Sequence, residues 1–134
     1  MNYKVYVISA NRYEDLPFDK QQKEKYIFCV KNGQNGCKEV YNTGNLMDSR
    51  NFALDHAFKN NNICIQLSDD IKKVTLNKNF FEKKIIPLDE AINDIAKKFD
   101  KINGVYLMGV PPTDNFFFAN KLVIENKFCI GDML

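Results

Sequence analysis

An excess of either charge is missing from this sequence. Lys and Arg together number 19 against 17 for Asp and Glu, a formal net charge of +2. The lysines are scattered, as at Lys20, Lys23, Lys25, Lys72, Lys73, Lys83, Lys84, Lys97 and Lys98. That is the pattern of a solvated surface, whereas a dedicated nucleic-acid-binding module shows a stronger basic excess or a basic stripe. Also missing is any C-x-x-C pair. Cys29, Cys64 and Cys129 sit instead inside the apolar runs IFCV, ICIQL and FCIG, and with Cys37 they read as reduced thiols of a cytosolic protein. The single histidine, His56, cannot complete a Cys/His zinc site at these spacings and reads as a half-buried helix residue. No run approaches the roughly 20 apolar residues that span a bilayer. The opening MNYKVYVISA is apolar over the length of one strand only, without the basic and apolar regions of a signal peptide. The expectation is a soluble, cytoplasmic chain with no membrane partner. Internal repeats, linkers and low-complexity tracts are absent as well.

What is present is enough for one core. A length of 134 residues with 45% apolar and 13% aromatic residues fits a single compact domain over residues 1–134, since two separate cores would each be too small. Tyr3 to Ser9 alternates and is rich in Tyr, Val and Ile, which predicts a first strand ending before Ala10-Asn11-Arg12. A short helix is expected between Tyr13 and Glu24, after Pro17. Tyr26 to Val30 reads as a central strand covered on both faces, closed by the turn-rich residues 31–36. Thr43-Gly44-Asn45 then gives a loop and a cap, followed by a helix in which Met47, Arg50, Leu54, Ala57 and Phe58 fall on helical spacing. That helix ends near Asn60-Asn61-Asn62, and Ile63 to Leu67 forms the next buried strand. Strand, capped helix and strand in this order predict a right-handed parallel crossover. Leu88 to Ile102 is the clearest amphipathic helix, with Leu88, Ala91, Ile92, Ile95, Ala96, Phe99 and Ile102 on one stripe. Val105 to Val110 and Leu122 to Ile130 read as two further strands around the loop 111–115. The fold class expected is α/β: one three-layer domain on a mostly parallel sheet.

In such a sheet ligands sit beyond the carboxyl ends of the strands, where the following residues converge. Three groups meet that condition: Ser9-Ala10-Asn11-Arg12, Lys31-Asn32 and Ser68-Asp69-Asp70. Adjacent carboxylates repel unless a cation offsets them. Mg²⁺ or Mn²⁺ takes one or two carboxylates together with phosphate oxygens, so Asp69 and Asp70 suit a metal that bridges protein to a diphosphate. The same pair also suits a plain turn or helix cap. Arg50 lies one turn into a helix whose N-terminal end favours anions, and its forked guanidinium suits either phosphate or the acidic loop. An exposed arginine in a surface ion pair is the other reading of it. Asp114 and Asn115 follow Pro111-Pro112 in a loop, where Asp114 is either a general base or an ordinary turn residue.

The stretch Thr43-Gly44-x-x-x-x-Ser49-Arg50-Asn51-x-Ala53-Leu54-x-x-Ala57, an apolar strand, and then Gln66-Leu67-Ser68-Asp69-Asp70-Ile71 resembles the glycine, Arg-Asn helix and Asp-x-Asp block of GT-A glycosyltransferases. It is most similar to phage and viral enzymes, including the TET-associated group proposed to glycosylate modified pyrimidines in DNA. The resemblance implies a GT-A-like fold, a nucleoside diphosphate sugar as donor, Mn²⁺ or Mg²⁺ as cofactor, and an acceptor that could be a modified DNA base. It implies further that Ser9, Asn11, Arg12 and Asn32 hold the nucleotide, that Arg50 with Asn51 contacts the diphosphate or the acidic loop, and that Ser68 and Asp69 lie near ribose or sugar. Asp70, with Asp69, would hold the metal. Two departures stand out. Ser68 occupies the first acidic position of the pattern, and the family's later acceptor-binding elements have no counterpart before Leu134, so a truncated chain or a non-catalytic nucleotide- or partner-binding module is the alternative expectation. A nucleotidyltransferase would need a Gly-rich loop near the first strand, which Ser9-Ala10-Asn11-Arg12 does not provide.

Overall fold

The structure is a computed structural model that describes residues 2–9, 18–31, 37–69, 71, 74–77 and 83–101, with 74–77, 83 and 84 taken as backbone. The chain divides into two compact units, Met1–Ile71 and Lys72–Leu134.

The first unit is built on β1 (Tyr3–Ser9), α1 (Lys20–Lys25), β2 (Ile27–Val30), β3 (Glu39–Asn42), α2 (Leu46–Lys59) and β4 (Ile63–Ser68). The four strands form one open sheet in the order β3-β2-β1-β4, and every pairing is parallel. An α/β fold on a parallel sheet is therefore what the chain adopts. β1 is central and pairs with β4 from Tyr3↔Ile63 to Ile8↔Ser68, and with β2 from Tyr6↔Ile27 to Ser9↔Val30. Its apolar run reflects burial on both faces, as side chains alternate across the strand. Tyr6 and Ile8 pack with Ile27, Cys29, Ala53 and Ala57. Val5 and Val7 point to the opposite face, as do Phe28, Val30, Ile65 and Leu67, and all six are buried.

Local chemistry explains where the helices begin and stop. Asp19 caps α1 by accepting from Gln22 N at 2.8 Å, while Gln22 Oε1 accepts from Asp19 N at 3.0 Å, a reciprocal capping box. Buried Phe18 meets Tyr26 and Phe28 edge-on, with ring centroids 5.7 and 6.0 Å apart, and anchors the approach to α1. Asn45 caps α2 by accepting from Asp48 N at 2.9 Å. At its other end Asn61 is left-handed, with φ of 59°, and the amides of Asn61 and Asn62 bond the carbonyls of Phe58 and Ala57 at 3.1 and 2.9 Å. This pair of bonds closes the helix as a Schellman motif.

Two features of this unit differ from the sequence reading. The first is β3, which that reading leaves out: Glu39 to Asn42 has four residues, a charge and no buried position, as suits a short edge strand. The second is the buried face of α2. Of the residues placed on helical spacing Ala57 is buried, but Met47, Leu54 and Phe58 are exposed, Phe58 at 86%, and the helix turns Ser49 and Ala53 inward beside Ala57. These small residues recur every four positions, so the helix can lie close against the sheet while the rings of Tyr41 and Phe52 fill its flank.

The second unit holds β5 (Val74–Asn77) and β6 (Lys83–Ile86), paired antiparallel from Val74↔Ile86 to Asn77↔Lys83, and α3 (Leu88–Lys101). The hairpin is absent from the sequence reading. α3 matches the expected stripe, with Ala91, Ile92 and Ala96 buried and Leu88, Ile95 and Phe99 half-buried. The strands expected over 105–110 and 122–130 lie outside the described residues. Among the described residues no helix is long and apolar enough to cross a membrane.

Candidate functional site

From β1 the chain moves through α1 to β2 and on to β3, and it then returns through α2 to place β4 on the other side of β1. The strand order therefore reverses between β1 and β4. Connections that leave two neighbouring strands in opposite directions open a crevice at their carboxyl ends, the usual ligand position in open α/β sheets. Ser9 ends β1 at this point, Ser68 ends β4, and Asp69 follows directly in a turn. Ser9 Oγ donates to Asp69 Oδ2 at 2.9 Å. The hydroxyl comes from a side chain only 2% exposed, whereas Asp69 and Ser68 are half-buried. One carboxylate is thus oriented at the carboxyl end of the sheet by a buried donor.

The N-terminus of α2 reaches the same edge of the sheet. Thr43 N donates to the carbonyl of Val30 at 2.8 Å, which ties the loop to the end of β2. The hydroxyls of Thr43 and buried Ser49 are 2.5 Å apart. Gly44 turns the chain with φ of +97°, a region that side chains rarely adopt, and a Cβ there would also meet Asp48 Oδ2 at 3.1 Å. The Asp48 carboxylate sits in the first turn of α2, where it complements the helix dipole in the role that an anionic ligand would otherwise take.

Of the residues singled out in the sequence, the structure brings Ser9 and Asp69 into contact and sets Ser68 beside them. Arg50 is half-buried and bonds to β4: its Nη1 donates to Gln66 Oε1 at 3.0 Å, and Gln66 Nε2 donates to the Arg50 carbonyl at 3.1 Å. Asn51 is exposed on α2. Asn11, Arg12, Asn32, Asp70 and Asp114 lie outside the described residues. Gln66, which the sequence reading quotes in the block 66–71 without giving it a role, is the site neighbour that the structure adds, and a lone amide inside the apolar run ICIQL is a signal in itself.

Several reactive side chains are set by burial rather than for chemistry. Burial, with the neighbouring Cys64 and Glu39 adding to it, pushes the Cys29 thiol up to about 12. Burial also pushes Cys64 up to about 11, against a lowering hydrogen bond from Gln66. Neither supplies a thiolate nucleophile near neutral pH. Tyr6, raised above the ordinary tyrosine range chiefly by burial, shares a 2.8 Å hydrogen bond with His56 Nδ1. His56 is half-buried and stacks on Phe52 at 5.6 Å, so it belongs to the packing between α2 and the sheet.

Among the described residues no group of three or more His, Cys, Asp or Glu side chains gathers as a metal cage. The protein's share of a Mg²⁺ or Mn²⁺ shell here would be one or two carboxylates, Asp69 with the adjoining Asp70, and diphosphate oxygens and water would complete it. That division is the ordinary one for Mg²⁺. Comparison with protein-family models, with curated proteins and with solved structures gave no match.

Proposed function

We propose that this chain is a metal-dependent glycosyltransferase of GT-A type, or the donor-binding part of one, and that it takes a nucleoside diphosphate sugar in the crevice between β1 and β4. The observation that carries the reading is the contact of Ser9 with Asp69 at the point where the strand order reverses. The resemblance of residues 43–71 to the GT-A block supports it from the sequence.

In the reaction the bond between the sugar's anomeric carbon and the diphosphate breaks, a bond to the acceptor oxygen forms, and the diphosphate leaves with an added negative charge. A bound Mg²⁺ or Mn²⁺ supplies electrostatic stabilisation of that charge. Ser9 keeps the Asp69 carboxylate turned toward the crevice, Asp70 is the principal metal ligand, and Arg50 offers a cation to the phosphates. By the resemblance, Asn11, Arg12 and Asn32 are the residues that line the nucleotide. The resemblance leaves the acceptor open, with a modified base in DNA as one candidate.

Ser68, in place of a first carboxylate, favours a second reading: a nucleotide- or partner-binding module without turnover. Thermal-shift titration with ADP, GDP, CDP, UDP and dTDP and their common sugars, with and without Mn²⁺, tests the proposal. Stabilisation by one nucleotide that requires Mn²⁺ and is lost in Asp70→Ala is expected, and at a ligand concentration 100 times Kd it amounts to about 2.7 kcal/mol. Unchanged binding and metal dependence in Asp70→Ala would remove the site assignment. Binding without donor turnover would select the second reading.

A further inference from the structure

Gln66 is a polar residue within the apolar strand β4 and is 5% exposed. A buried amide costs free energy unless its donors and acceptor are met. One residue of α2 meets both ends of this one. Arg50 Nη1 donates to Oε1 at 3.0 Å, and Nε2 donates back to the Arg50 carbonyl at 3.1 Å. Cys64 Sγ lies 3.7 Å from the same nitrogen. The two-point contact orients the amide with its oxygen toward the guanidinium.

The acceptor is neutral, and that decides the electrostatics. A half-buried guanidinium ordinarily pairs with a carboxylate, which holds it and cancels its charge. Gln66 holds Arg50 in the same way but brings no charge of its own to the contact. Arg50 belongs to the second turn of α2, whose start is tied by Thr43 to the end of β2. The held charge therefore lies toward the carboxyl edge of the sheet, where β4 runs on to Ser68 and Asp69.

We infer that Gln66 is a positioning residue that fixes Arg50, without neutralising it, as a cation for a diphosphate group. The inference rests on the donor-site reading above and names the side chain that prepares the arginine for it. The test is calorimetric titration of the full chain in Mn²⁺ with pyrophosphate, ADP, GDP, CDP, UDP and dTDP, for the wild type, Arg50→Gln, Gln66→Glu and Gln66→Met. It is paired with the Arg50 Nε resonance of the wild type followed by NMR as pyrophosphate is added. Arg50→Gln removes the charge and Gln66→Glu cancels it, so each weakens binding about tenfold or more. Gln66→Met frees the guanidinium without neutralising it and weakens binding less than Gln66→Glu does. The Arg50 resonance moves on addition of pyrophosphate.

If Gln66 only stabilises the fold, both of its variants unfold at lower temperature but bind as tightly as the wild type, and the inference is overturned while the donor site stands. A diphosphate that binds without moving the Arg50 resonance overturns it in the same way, and this readout needs no variant to fold. A wild type that binds none of the six probes removes the donor-site reading and this inference together.

Discussion

Cys29 sits on β2 beneath α2, withdrawn from solvent among Tyr6, Ile27 and Ala53, and burial pushes its thiol up to about 12 from 9.0 because a thiolate there would lose its hydration. The consequence for stability has a definite sign. Above pH 9 the unfolded chain loses this proton while the folded chain keeps it, so stability falls as pH rises from about 9 toward about 12. Cys29→Ala should flatten that decline relative to the wild type in urea unfolding at pH 8, 9 and 10, and an unaltered slope would count against the assignment. The same residue shows what the sequence could and could not reveal. Its place in the run IFCV marks it as buried, which is all that burial-driven pKa shifts require. Arg50 and Gln66 show the limit, because helical spacing locates Arg50 on a turn but does not say which strand residue lies across from it.

Gly44 and Asn61 frame α2 with positive φ values of 97° and 59°, and they differ in how well the residue suits the conformation. Gly44→Ala forces a side chain into a strained backbone region and against Asp48, and should cost about 1–2 kcal/mol in chemical denaturation. Asn61→Gly relieves a residue already held left-handed in an exposed Schellman turn, and should add about 0.5 kcal/mol. If the two substitutions shift stability in the same direction, the account of the helix ends is wrong. Elements with strong periodicity were legible: β1 is read with the bounds Tyr3–Ser9 and α3 to within a residue of its end at Lys101. β3, β5 and β6 were not, because each has four residues with polar or charged ones among them, whereas the four residues of β2 form a continuous apolar run. On α2 the large apolar residues Met47, Leu54 and Phe58 lie away from the sheet, which selects Ser49, Ala53 and Ala57 for their small size, and of these three only Ala57 stands on the spacing read from the sequence.

On the scale of the molecule, the described residues of the proposed site all belong to the unit Met1–Ile71. Its location follows from topology, which sequence pattern predicts only as far as a parallel crossover. The reversal of strand order between β1 and β4 needed the observed pairing. The account rests on that crevice being where a metal and a nucleoside diphosphate meet, and Mn²⁺ reports its own position through paramagnetic line broadening. The direct measurement is a spectrum of amide resonances from the ¹⁵N-labelled chain with Mn²⁺ and each of the five nucleoside diphosphates in turn. Broadening centred on Ser9, Ser68 and Asp69, and dependent on the nucleotide, is the predicted result. Broadening centred on the β5–β6 hairpin or on α3, or none with any of the five, would contradict it.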